Sequence, residues 1–129
     1  MELDLSNLPM ISVVIPNLNS TVIDRTLAAI REQDIDLSRV EVLVVGLDEP
    51  GLVRADELVR HVLTEGPASP AVARNIGIIR SRGDLVCFTD ADCIPAENWL
   101  TQISGQIADG QADVVGGGVS FDVTRYWTL

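Results

Sequence analysis

Lysine does not occur in this 129-residue chain; all nine basic residues are arginines, set against 19 acidic ones. The formal net charge is −10. That balance excludes binding to nucleic acid through a basic face, because backbone recognition needs clustered positive charge. A polyanionic ligand would need a metal ion or local backbone dipoles to offset the acidic background. Aromatic residues are scarce at 4%, so the core has to be aliphatic, built from Val, Ile, Leu and Ala. The two cysteines, Cys87 and Cys93, make neither a disulfide framework nor a CxxC pair, which points to a reduced, intracellular setting. The Met-Glu-Leu-Asp start lacks the basic and apolar stretches of a signal peptide. No apolar run approaches the roughly 18 residues that span a bilayer. A cytoplasmic location is expected, or the cytoplasmic face of a membrane touched only through a segment outside this chain.

What is present is a folded α/β pattern. Hydrophobic residues make up 47% and charged ones 22%, a globular balance. A chain of this size hides roughly two-thirds of its surface on folding and needs no disulfides. Residues 11–16 form a β-branched run ended by Pro16, as in a buried strand. Thr21 and Asp24 resemble a capping box for a helix whose stripe is Ile23, Leu27 and Ile30. Residues 40–45 are a second apolar strand, 55–59 a short helix, and 61–64 a short third strand. Ser69-Pro70 starts a helix with Val72, Ile76 and Ile79 on its buried face and Gly83 as its stop. Residues 84–89 are a strand. Pro95 opens a helix lined by Trp99, Ile103 and Ile107 and closed by Gly110, and residues 112–121 are a last strand interrupted by Gly116, Gly117 and Gly118. Strands alternating with helices imply an open, mostly parallel sheet with right-handed crossovers.

In such sheets ligands bind at the carboxyl ends of the strands. The most informative of those ends is Leu85-Val86-Cys87-Phe88 running into Thr89-Asp90-Ala91-Asp92-Cys93. Two carboxylates one residue apart, leaving a buried strand, need compensation. A hard divalent cation with oxygen ligands would supply it and could bridge to phosphate oxygens. The alternative is helix-capping and turn chemistry before Pro95.

Four blocks together resemble the family 2 glycosyltransferases, nucleotide-diphospho-sugar transferases of the GT-A fold. They are Ile11-Ser-Val-Val-Ile-Pro-Asn-Leu-Asn19, Glu41-Val-Leu-Val-Val45, Ala73-Arg-Asn-Ile-Gly77 and Gly83-Asp-Leu-Val-Cys-Phe-Thr-Asp-Ala-Asp92. The likeness runs from Ile11 to Val119 and covers the family's nucleotide-binding half, so residues 1–129 are expected to be a truncated GT-A domain without its acceptor-binding half. The resemblance implies that Asp92 coordinates Mg2+ or Mn2+ and that Asp90 contacts the ribose, or the metal through water. It places Pro16 and Asn19 against the nucleotide and Arg74 in the nucleotide and phosphate region. The implied reaction is inverting substitution at the sugar's anomeric carbon, with a UDP- or GDP-type donor and a carboxylate base that this chain does not visibly hold. Two departures stand out. Leu18 replaces a frequent aromatic in the first loop, and the second strand ends Val45-Gly46-Leu47 where paired aspartates usually read the base. Asp48 is the candidate substitute.

The other conspicuous residues have plainer readings. His61 is structural or solvent-facing, Cys87 and Trp99 are core, and Cys93 is packing or metal-adjacent. Gly116 to Gly118 lacks a phosphate-loop lysine and is a strand bend or a close approach to the sugar. Arg80 and Arg82 meet a helix dipole. Two rival functions remain. A haloacid-dehalogenase-like phosphatase would use Asp90 as nucleophile and Asp92 as acid/base, but needs a later cationic partner, usually lysine. A nucleotide-sugar-binding fragment without turnover is the other. Trp127 and Leu129 near the end suggest self-association through the last strand.

Overall fold

The computed structural model describes residues 10–110 and 112–120. Four strands, β1 (Ile11–Leu18), β2 (Val40–Leu47), β3 (Val59–Leu63) and β4 (Leu85–Phe88), form one parallel sheet in the order β3-β2-β1-β4. Helix α1 (Ile23–Arg31) carries the chain from β1 to β2, α2 (Pro70–Arg80) from β3 to β4, and α3 (Trp99–Ala108) follows the last strand. The strand order reverses direction around β1, so the crevice beside its carboxyl end is a topological switch point.

The alternation of side chains along each strand divides the core into two layers. Ile11, Val13 and Ile15 of β1, with Val42 and Val44 of β2, pack against Ile23, Leu27 and Ile30 of α1 and Leu100 of α3. Val14, Leu43, Val45 and Val62 pack against α2 through Ala73. Both faces of the sheet are covered, which is why β1 and β2 are continuously apolar rather than alternating. The α1 stripe and the Ser69 cap behave as expected, with Ser69 Oγ accepting from the Val72 amide at 3.3 Å. Gly110, at φ +70°, closes α3.

Several expectations are corrected. Strand β1 does not end at Pro16 but runs on to Leu18 against β2. The carbonyl of Val14 faces β4, accepting from the Thr89 amide, so two residues later the proline nitrogen points the same way. Pairing with β4 stops opposite Val14. The missing donor therefore falls where no ladder partner stands, and a central strand tolerates proline. Thr21 does not cap α1; the Ser20 hydroxyl accepts from the Val22 amide instead. The helix expected over 55–59 is absent: Asp56 accepts from the Leu58 and Val59 amides and holds a bend, and Val59 already begins β3. Those bonds, with the Arg31 guanidinium, hold the Asp56 carboxyl below its usual range.

The buried face of α2 is shifted from the expected stripe. Val72 and Ile79 are exposed, and Ala73 and Gly77 face the sheet. A Cβ on Gly77 would lie 2.3 Å from Val14 Cγ1, so small residues set how closely the helix approaches. Gly83 is not a left-handed helix stop; α2 ends at Arg80 with Ser81 as its cap. Pro95 lies ahead of α3, which begins only at Trp99. Its start is tied down by Gln33, whose Oε1 accepts from the Leu100 amide and whose Nε2 donates to the Ala96 carbonyl. Residues 112–120 form no strand. Val114 and Val119 are exposed, and the glycines between them touch nothing that would exclude a Cβ. Phe121, Trp127 and Leu129 lie outside the described residues.

At the amino ends of the strands a polar network closes the sheet. Ser12 Oγ donates to Glu41 Oε2 (2.6 Å) and accepts from the Gly83 amide (2.7 Å). The Arg82 amide donates to the same Glu41 oxygen, and Arg60 bridges Glu41 to the Arg80 carbonyl that ends α2. This end of the molecule is structural.

Candidate functional site

At the carboxyl ends the loops after β1 and β2 are laced together by asparagines. Asn17 is buried; its Nδ2 donates to the Leu47 carbonyl (2.9 Å) and its Oδ1 accepts from the Ser20 amide. Asn19 adopts φ 55°, a left-handed conformation that asparagine tolerates. Its amide donates to the Leu47 carbonyl and its Oδ1 accepts from the Glu49 amide (2.8 Å). Asn19 thus stands in the expected first loop, its side-chain oxygen engaged in joining the two loops, while Pro16 lies two residues inside β1 rather than in the loop. Asn17 escaped the sequence reading; its signal was a polar residue inside an apolar strand.

Asp48 follows β2, as anticipated, but both its oxygens are occupied. Oδ1 accepts from the Leu52 amide (3.0 Å) and Oδ2 from the Val53 amide (2.8 Å), while its carbonyl accepts from Gly51. The geometry is that of a turn-holding aspartate. Asp48→Ala is expected to cost about 2 kcal/mol of stability by urea denaturation. Binding of the nucleoside diphosphate that the resemblance implies should stay within about threefold of wild type, which calorimetry checks.

The acidic turn is gripped from both faces of the sheet. On the α1 side, Ser20 Oγ donates to the Ala91 carbonyl (2.9 Å), and the fully buried Thr26 donates through Oγ1 to the Cys93 carbonyl (2.6 Å). Thr26 on α1 and Gln33, two residues past its end, hold the segment from Cys93 to Leu100, and Ser20 ahead of the helix holds Ala91. On the α2 side, Arg74 Nη2 lies 3.1 Å from Asp90 Oδ1. The Cys93 amide donates to the Asp90 carbonyl and closes the turn. Ser20 and Thr26 were missed because backbone-carbonyl acceptors leave no mark in a sequence.

Asp90, Asp92 and Cys93 each present a ligand atom within 4.8 Å of the others, with both carboxylates exposed. Two exposed carboxylates on a backbone-fixed turn fit a hard divalent cation that retains open positions for phosphate oxygens and water. Burial, followed by the neighbouring Asp92 carboxylate, raises the Cys93 thiol above its usual range, so it remains protonated at neutral pH. Burial alone pushes Cys87 up to about 11, consistent with an inert core thiol. His61 Nε2 lies 3.1 Å from the Gly46 carbonyl, and Trp99 packs against the core. Among the described residues no helix is long and apolar enough to cross a membrane.

Comparison with known proteins agrees with this geometry. Residues 12–126 match the family model "Glycosyl transferase family 2". The glycosyltransferase AglE of Haloferax volcanii is 34% identical over 127 residues, covering 90% of this chain and 41% of AglE. The mannosyltransferase PcManGT from Pyrobaculum calidifontis, solved with GDP-Man and Mn2+, superposes with a TM-score of 0.68 at 27% identity, over 84% of this chain and 34% of that one. The TarS 1–349 structure from S. aureus, in complex with UDP-GlcNAc, gives a TM-score of 0.69 at 22% identity over 86% of this chain and 37% of that one, a likeness of fold. The chain spans well under half the length of each. From β1 through the acidic turn at the switch point, sequence and architecture coincide, and the chain belongs to the family 2 glycosyltransferases with their GT-A fold.

Proposed function

We propose that this chain forms the donor-binding part of an inverting, metal-dependent glycosyltransferase acting on a nucleoside-diphosphate sugar of the uridine or guanosine type. The observation that carries the reading is the Asp90–Asp92 turn, held by α1 and met by Arg74 at the end of β4. Asp92 and Asp90 would hold Mg2+ or Mn2+; when bound, the cation supplies Lewis-acid stabilisation of the departing diphosphate. Ser20 and Thr26 keep the carbonyls of the turn satisfied, so the carboxylates are presented without rearrangement of their backbone. Asn17 and Asn19 hold the β1 and β2 loops at one spacing beside them. The relatives add support: PcManGT was solved with GDP-Man and Mn2+, and TarS with UDP-GlcNAc. The phosphatase alternative asked for a cation after the acidic motif; here the guanidinium comes from Arg74, ahead of it in the chain.

Calorimetric titration of uridine and guanosine diphosphates tests the reading. One of the two should bind wild type only with Mn2+ or Mg2+ present. In Asp92→Asn that affinity should fall by about tenfold or more, the cost of losing one charge-assisted contact. Equal affinity with EDTA, with Mn2+ and in Asp92→Asn would remove the metal bridge.

A further inference from the structure

We infer that Arg74 is a resident counterion of the acidic turn, one that competes with the metal for Asp90 and passes to the donor's phosphates once the metal is bound. The inference rests on the donor-site reading above and concerns the order and coupling of binding. The Arg74–Asp90 contact is a single hydrogen-bonded pair at 3.1 Å, with side chains 38% and 57% exposed. A pair so open to solvent contributes little to stability and exchanges partners at low cost. The backbone beneath it does not need to move, because Ala73 and Gly77 fix α2 against the sheet.

Charge decides what happens when a cation arrives. Asp90, Asp92 and Arg74 together leave the cluster with one net negative charge. A divalent cation ligated by both carboxylates reverses that sign and repels the guanidinium at close range. A diphosphate bridging to the cation offers Arg74 a new anionic partner with matched geometry. Metal alone must displace Arg74 without compensation, whereas metal with nucleotide rehouses it. Metal and nucleotide therefore bind with positive coupling, and part of that coupling is carried by this one side chain. The other ion pairs described, Arg31–Asp56 and Arg60–Glu41, involve no residue of the acidic turn.

The test separates this role from its simpler alternatives by the sign of two effects. Mn2+ binding without nucleotide is followed by the EPR signal of free Mn2+, and nucleoside diphosphate binding at saturating Mn2+ by calorimetry. Relative to wild type, Arg74→Gln should bind Mn2+ alone about three- to fivefold tighter, since a competing charge is gone. It should bind the nucleotide about tenfold more weakly. Arg74→Lys should lie between the two on both measurements. Glutamine keeps good helix propensity, and the helical circular dichroism confirms the fold. Unchanged Mn2+ affinity in Arg74→Gln would reduce Arg74 to a phosphate ligand and overturn the inference alone. Loss of both affinities would make it a structural brace and do the same. Wild type that takes up neither Mn2+ nor nucleotide would instead overturn the donor-site reading, and this inference with it.

Discussion

Gly46→Ala should be the most damaging glycine-to-alanine change in the chain. Gly46 sits near the end of β2 at φ +136°, a conformation that a residue with a Cβ rarely adopts. The added carbon would lie 1.8 Å from the carbonyl oxygen of Asn17, far closer than any non-bonded carbon–oxygen contact allows. Neither atom can be relieved by rotating a side chain, since both belong to paired strands. Backbone strain and steric exclusion act together, and a loss of at least about 3 kcal/mol is expected. Thermal denaturation should show a fall in Tm of roughly 10 °C or more. Because Asn17 also holds the loop after β1, whatever Gly46→Ala protein remains folded should bind the metal–nucleotide pair poorly. A variant with wild-type Tm would mean that the β1 and β2 ends are freer than their hydrogen bonds imply.

Gly83→Ala should produce a comparable loss of stability at the opposite end of the sheet, with a different functional outcome. There φ is ordinary, and the obstacle is proximity. A Cβ would meet Ser12 Oγ at 2.6 Å and, more stubbornly, the Met10 carbonyl and the Ser12 amide at 2.7 Å each. The Gly83 amide also donates to Ser12 Oγ, so moving the segment aside would break into the Glu41 network. A cost of about 2–4 kcal/mol is expected. The folded fraction, studied below its Tm, should keep wild-type nucleotide affinity, because the network lies at the amino ends of the strands. Weakened binding at full folding would show that the two ends of the sheet communicate.

The contrast between these glycines shows what a sequence discloses and what it conceals. Strands β1 and β2 were legible because burial on both faces demands long β-branched runs, β4 because a short apolar run leads straight into charged residues, and the α1 stripe because one face of a helix repeats. The α2 stripe misled because large apolar residues advertise themselves, whereas the contact depends on Ala73 and Gly77 being small. Residues 55–58 and 112–120 carried apolar residues at tempting spacings, but Asp56 diverted one backbone and three glycines gave the other nothing to pack. In the site, Asp90 and Asp92 stood out as carboxylates leaving an apolar strand and Arg74 through the family resemblance of its block, and the structure sets Arg74 against Asp90 beside Asp92. Asp48 stood out equally and turned out to be engaged by its own turn. Distinguishing the two requires knowing which backbone amides lie nearby, and only folding decides that.

Pro16 carries a consequence for the shape of the cleft. A sheet grows sideways wherever a strand offers alternating donors and acceptors to a newcomer. Along β1 that offer lapses at the proline, on the flank where β4 has already departed. A segment extending the ladder further up β1 on that side would meet a position with no donor to give. The mouth beside the acidic turn therefore begins at a point where the backbone itself has no hydrogen to offer, so extending the sheet there would forfeit a bond.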